Sequence, residues 1–181
     1  MLQTTESRMR KNRSLSRGTQ SEWASLAMRR VLSPRVNGEQ WNFGAVSTAE
    51  WTGVPLVEIL DRANVKASAS EIVFRGADSG KPDASSDPIL FERSLSIENV
   101  QASEVLLAYA MNGEALPIVH GYPLRVVVPG WYAVASVKWL TEIEVVGGLF
   151  SGHYQTETYF FEWQRGEQVV RERYRCSVCG V

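Results

Sequence analysis

The chain has 181 residues, 44% of them hydrophobic, and its 19 basic and 20 acidic side chains leave a formal net charge of −1. That length and apolar content suit one globular domain with a real core. No apolar run approaches the roughly 20 residues that span a bilayer, and the N-terminus lacks the apolar stretch a signal peptide carries behind its basic residues, so a cytoplasmic protein without a membrane span is expected.

Charge is unevenly spread. Residues 1–37 hold Arg8, Arg10, Lys11, Arg13, Arg17, Arg29, Arg30 and Arg35 against Glu6 and Glu22. With Trp23 as its single aromatic and no binding motif, this arm reads as a disordered tail, and no nucleic-acid partner is expected. A domain boundary falls near Asn37-Gly38, with the main domain over 38–165 and a C-terminal strand and tail over 166–181.

Next, "WTGVPLVEILDRANV" (51–65) reads as a helix, with Pro55 in its first turn, Leu56, Val57, Leu60 and Ala63 on one apolar face, and Asn64 as its stop. "EIVFRG" (71–76) is a strand. "ADSGKPDASSDP" (77–88) is a loop long enough to suggest function or mobility. A second strand covers about 89–95, and a third lies in "EVLLAYAMNG", where Asn112-Gly113 marks a tight turn. The unbroken valines of "LRVVVPG" (124–130) indicate a strand buried on both faces, stopped by Pro129-Gly130. "SVKWLTEIEVV" (136–146) alternates, with Val137, Trp139, Ile143 and Val145 as its apolar members. "TYFFEWQRGEQVVRERY" (158–174) reads as a hairpin turning at Arg165-Gly166. Strands dominate over one clear helix, so the class is α+β with mixed or antiparallel sheets.

The chemistry concentrates between Val119 and Leu140. His120, Tyr122 and Pro123 make a rigid bend into the buried strand, Arg125 stands at its mouth, and Lys138 returns on the next segment. A buried guanidinium needs an anionic partner, because leaving it unpaired is costly. That partner is either an internal carboxylate, Asp78 or Glu142, or a phosphate held jointly by guanidinium, ammonium, imidazole and backbone N–H groups.

Three stretches, "WNFGAVSTAEWTGVPLVEIL", "VLLAYAMNGEALPIVHGYPLRVVVPG" and "SVKWL", in this order and spacing resemble the molybdopterin-binding domain of the sulfite oxidase family, from Ser33 to about Trp163. The resemblance implies a sulfite-oxidase-type fold and the molybdenum-molybdopterin cofactor. It implies pterin and phosphate binding by His120 and Arg125 of the HGxPxR motif, by Ser136, Val137 and Lys138, and by Asp78. It also implies catalytic roles for Trp51 and Tyr159. Without it, both aromatics read as core or rim residues. The implied activity is oxygen-atom transfer to or from a small oxyanion such as sulfite, with an unidentified electron acceptor. Arg125, His120 and Lys138 are expected to share one concave anion site, with Trp51 and Tyr159 on its rim.

The departures are specific too. The family's molybdenum-ligating cysteine lies in a "CAGN"-like segment where this chain has "SEWASLAMRRVL" (21–32), and no cysteine precedes Trp41. Residues 1–32 resemble nothing in the family, and no immunoglobulin-like dimerisation domain follows. A truncated form, with cofactor binding impaired, is therefore expected; the alternative is a non-catalytic remnant that binds pterin or a partner only. Ala110 replaces a glutamate common among relatives. Cys176 and Cys179 supply two of the four soft ligands of a structural zinc, with His153 the one imidazole nearby, so no metal site is expected there.

Overall fold

The computed structural model describes residues 7–9, 48–166 and 168–173. The basic arm's remaining residues, the 37/38 boundary and both cysteines lie outside them. The described residues form ten strands: β1 (Ser7–Met9), β2 (Trp51–Pro55), β3 (Glu71–Gly80), β4 (Ile89–Ser96), β5 (Leu106–Met111), β6 (Glu114–Ala115), β7 (Arg125–Val127), β8 (Leu140–Val146), β9 (Phe160–Arg165) and β10 (Gln168–Arg173). Their α-helices are α1 (Leu56–Ala63) and α2 (Ile97–Ala102). The class is α+β, and no helix of the described residues is long and apolar enough to cross a membrane.

Strand pairing makes three antiparallel sheets. The first runs β1-β2-β5-β6, with β7 also on β5; the second runs β4-β3-β8; the third is the β9–β10 hairpin. In the second sheet, alternation along β3 puts Ile72 and Phe74 into the core beside Leu95 of β4 and Ile143 of β8. The other face carries Arg75, ringed by Glu92, Glu142 and Glu144. The core joins the two larger sheets through Leu107, Val126, Val128, Ala135 and Val137 and is closed by Leu56 and Val100 of the helices.

Three expected boundaries shift. Trp51–Pro55 is a strand, not the start of the helix, because its backbone pairs with Leu106–Met111. Pro55 then caps α1 with φ −57° and ψ 131°, and Leu56 N–H donates to Val105 C=O at 2.9 Å instead of within the helix. Asn64 ends α1 as expected, in the left-handed region at φ 53°. Of the expected apolar face, Leu56 is buried, but Val57 and Ala63 are exposed. The second shift is in β3, which continues through Gly80. Ala77 N–H bonds Trp139 C=O at 2.9 Å, and Ser79 and Gly80 pair with Leu90 and Ile89, so the loop is confined to 81–88. The register slips after Arg75 on both sides, and Asp78 stands in that irregularity.

The third shift is in β8, which begins at Leu140 and not at Ser136, because Val137 and Trp139 lie in the irregular segment before it, Trp139 at φ 46°. Within β8, Ile143 packs on the core while Val145, near the strand's end, is exposed. The hairpin turns where expected, with Gly166 at φ 64°.

Candidate functional site

Pairing to β5 places Arg125 at the head of β7 with its side chain only 9% exposed. Nη1 donates to His120 C=O at 3.0 Å, Nη2 to Ser136 C=O at 3.2 Å and Nε to Val126 C=O at 3.4 Å. Its flat face lies over the Trp51 ring, 4.7 Å from the centroid. Neither carboxylate expected as an internal partner is on it: Glu142 pairs with Arg75, and among the described residues no carboxylate bridges Arg125. Burial lowers the Arg125 pKa, but guanidinium stays charged at any ordinary pH. Five N–H hydrogens less three bonds leaves two among these contacts, one on each terminal nitrogen. That pair matches the two-pronged approach of a phosphate or carboxylate.

The turn before β7 brings in the second cation. Ile118–His120 form one 3₁₀ turn closed by Gly121 at φ 107°. Lys138 Nζ donates to Val119 C=O at 3.3 Å while lying 4.1 Å from the Trp139 ring centroid. Trp139 Nε1 donates to Ile118 C=O at 2.8 Å. Consecutive carbonyls of the turn, Val119 and His120, thus hold Lys138 and Arg125 side by side. The His120 imidazole is exposed, and its backbone C=O serves Arg125.

Ser136 and Val137 contribute structure here. The Ser136 hydroxyl accepts from Val128 N–H at 3.1 Å, and Val137 is fully buried with its C=O accepting from Val126 N–H at 2.8 Å. Asp78 sits across from them. Its Oδ1 occupies the space that a side chain on Gly76 would take, 2.3 Å from that ideal Cβ position, which is also 2.9 Å from Lys138 C=O. This Oδ1 is buried with no hydrogen-bond partner among the described residues. A buried, unsatisfied carboxylate oxygen is expensive, and the deficit points to a donor that the described residues do not supply.

Trp51, Arg125, His120, Ser136, Val137, Lys138 and Asp78 therefore form a connected group. Tyr159 meets a different cation. It ends the π-helical turn Tyr154–Thr158, and its ring lies 5.9 Å from the Arg93 guanidinium. Arg93 and Gln155, both 2% exposed, were not singled out from the sequence. Arg93 had a signal, a charged residue in phase with core positions of β4, whereas Gln155 had none. Among the described residues no three His, Cys, Asp or Glu side chains converge as a metal site.

With this geometry in place, likeness to known proteins becomes informative. The model of the oxidoreductase molybdopterin binding domain matches residues 16–154. The chain belongs to this family. Mouse (Mus musculus) mitochondrial sulfite oxidase is 40% identical over 130 residues, covering 68% of this chain and 22% of that protein. Arabidopsis thaliana sulfite oxidase is 35% identical over 131 residues, 68% of this chain and 33% of its own. The crystal structure of the sulfane dehydrogenase SoxCD from Paracoccus pantotrophus superposes with a TM-score of 0.62 at 32% identity, covering 78% of this chain and 33% of that one. The chain thus spans between about a fifth and a third of the relatives named here. It carries a sulfite-oxidase-family molybdopterin-binding fold. The family match begins at residue 16, so likeness to the family starts upstream of Ser33, where it was expected to begin; the expectation that residues 1–32 lack such likeness is corrected over 16–32.

Proposed function

We propose that the Arg125 group binds the pyranopterin and phosphate of the molybdenum cofactor, and that the chain acts as a sulfite-oxidase-type oxidoreductase domain on a small oxyanion. The observation that carries this is a guanidinium 9% exposed, held among the described residues by backbone carbonyls and a tryptophan face and by no carboxylate, with Lys138 bonded to the same turn. A structural arginine in this fold looks different: Arg75 is saturated by three glutamates.

When bound, the cofactor supplies two-electron redox chemistry and oxygen-atom transfer, while the protein supplies binding, orientation and field. Arg125 and Lys138 neutralise the phosphate. His120 adds an imidazole donor at the exposed lip, and Asp78 Oδ1 accepts an N–H of the pterin. Backbone atoms of Ser136 and Val137 fix the spacing of those groups. Trp51 holds the guanidinium plane from behind and walls the pocket. Tyr159 donates its phenolic hydrogen to an oxygen of the bound oxyanion, a charge-stabilising contact that strengthens as charge builds on that oxygen. The electron acceptor is a separate partner.

Cofactor retention tests this directly. Arg125→Ala removes a charge-assisted bidentate pair, of about 1.5–3 kcal/mol per charged hydrogen bond. At least tenfold less pterin should copurify with it than with the parent chain. Arg125→Lys should fall between, since an ammonium keeps charge but loses the fork. Equal pterin in all three, measured by fluorescence of the oxidised pterin, would remove Arg125 from the site.

A further inference from the structure

The π-helical turn before Tyr159 is fastened to the edge of the second sheet by buried polar groups. Gln155 is 2% exposed. Its Oε1 accepts from Ser94 N–H at 3.4 Å and its Nε2 donates to Ser94 C=O at 3.3 Å. Ser94 lies on β4, the outer strand in the order β4-β3-β8, so these are backbone groups another strand would have paired. The carboxamide, with one donor and one acceptor side like a peptide, stands in for that strand. The Ser94 hydroxyl continues the network to buried Glu71 at 2.9 Å, and the same Glu71 oxygen accepts from Phe150 N–H at 2.9 Å. Arg93 Nη1 donates to Tyr154 C=O, and the Phe91 and Tyr154 rings are 4.9 Å apart.

A leucine or methionine at 155 would fill this space without desolvating an amide. What an amide adds is registry, because only one placement of the turn lets it reach both Ser94 groups. The turn is a π-helix, a form that inserts a residue and recurs where side chains are aimed at a function. Tyr159 follows it immediately, with Arg93, itself bonded to the turn, against its ring.

We infer that Gln155 is a positioning residue for Tyr159: its two-sided clamp on Ser94 sets the turn's register and thereby the place of the phenol. This rests on the role proposed above for Tyr159. The test replaces Gln155 by Met, similar in volume and unable to make either bond, in the full chain labelled with fluorotyrosine. The Tyr159 fluorine resonance is identified by its loss in Tyr159→Phe. In Gln155→Met it should shift or broaden while that of Tyr109 on β5 stays. Gln155→Asn, one methylene short of Ser94, should give the same displacement and serves if the methionine variant does not fold. An unmoved Tyr159 resonance in a folded variant would overturn the inference.

A second arm reads chemistry in cofactor-loaded protein under single-turnover conditions with sulfite as probe. Gln155→Met should slow the step by about 10- to 100-fold, the scale set by ångström misplacement, with little change in the sulfite concentration giving half-maximal rate. Gln155→Met combined with Tyr159→Phe should be no slower than Tyr159→Phe alone. A further loss in the pair would show that Gln155 acts elsewhere and would also overturn the inference. Parent-like rates in Tyr159→Phe would instead sink the role given to Tyr159, and a persisting resonance shift in Gln155→Met tells that failure apart.

Discussion

Two arginines of this fold show how a residue's partners reveal its use. Arg75 is raised in pKa, first by its bond to Glu92, then by Glu144 and Glu142, and its charge is spent on the sheet surface. Arg125 is lowered by burial and keeps one free hydrogen on each terminal nitrogen among the contacts described. What keeps Arg125 and Lys138 together is the tight turn at Gly121. At φ 107° any side chain there is strained, and a Cβ would sit 3.0 Å from Lys138 Cβ and 3.1 Å from Trp139 N. Gly121→Ala should therefore cost the strain of left-handed backbone, about 1–2 kcal/mol, and also displace Lys138. Gly113→Ala is the matched control, with φ 84° and nothing within 4 Å of its new Cβ. Both should melt a few degrees lower by calorimetry. Only Gly121→Ala should copurify with less pterin, and equal retention would separate the turn from the site.

At the scale of elements, the sequence was readable where periodicity had one interpretation. The Arg165-Gly166 turn and the buried Val126 and Val128 stand where their patterns put them, whereas Val127 is half-buried and β8, half-buried or exposed at every position from Leu140 on, lacks the expected alternation. The errors fell where backbone pairing overrode composition. Trp51–Pro55 carries a proline suited to a helix start, yet β5 offers it a strand partner, and the Pro55 N lies at the last pair of that ladder. Residues 77–80 look like a loop because Gly, Ser and Asp are poor strand formers, but β4 and Trp139 capture their backbone. The true loop, 81–88, has its own organiser. Asp83 accepts from the hydroxyls and N–H groups of Ser85 and Ser86 and is held at a pKa of about 2 against an ordinary 3.8, the Ser85 hydroxyl contributing most. A folded pKa below the unfolded one means that the contribution is complete above about pH 4 and is lost as pH falls towards 2. Asp83 is fully exposed, so the effect should be local. Amide exchange of Ser85 and Ser86 should accelerate over that acid window with the core amides unchanged, and Asp83→Asn should abolish the pH step. A step that survives the substitution would place its origin in another carboxylate.

Across the whole molecule, the cationic half of the candidate site could be named from the sequence because its residues are close together, in two motifs that one 3₁₀ turn brings together. Asp78 required a register slip, and Gln155 a long-range contact 61 residues away, to acquire meaning. The thiolate that the resemblance implies is a different matter. Residues 16–154, the span matched by the family, contain no cysteine, and the chain's two thiols are Cys176 and Cys179. The resemblance implies a protein thiolate on molybdenum, and a soft anionic sulfur sets both affinity and potential in ways that a hydroxyl does not reproduce. Ser21 and Ser25, the small polar residues at the corresponding place in the sequence, do not ionise near neutral pH. Phosphate and pterin binding need no thiolate, so the two functions should come apart. The chain made in a cofactor-producing host should copurify with pterin through Arg125 and Lys138, yet oxidise sulfite at least 100-fold more slowly than a version carrying a family-type cysteine segment in place of 21–32, a ratio on the scale of lost catalytic contacts. Pterin fluorescence, molybdenum content and sulfite oxidation measured side by side distinguish the cases. Rapid turnover in the unaltered chain would mean that molybdenum finds another ligand here, and Cys176→Ser with Cys179→Ser would then identify whether the tail supplies it.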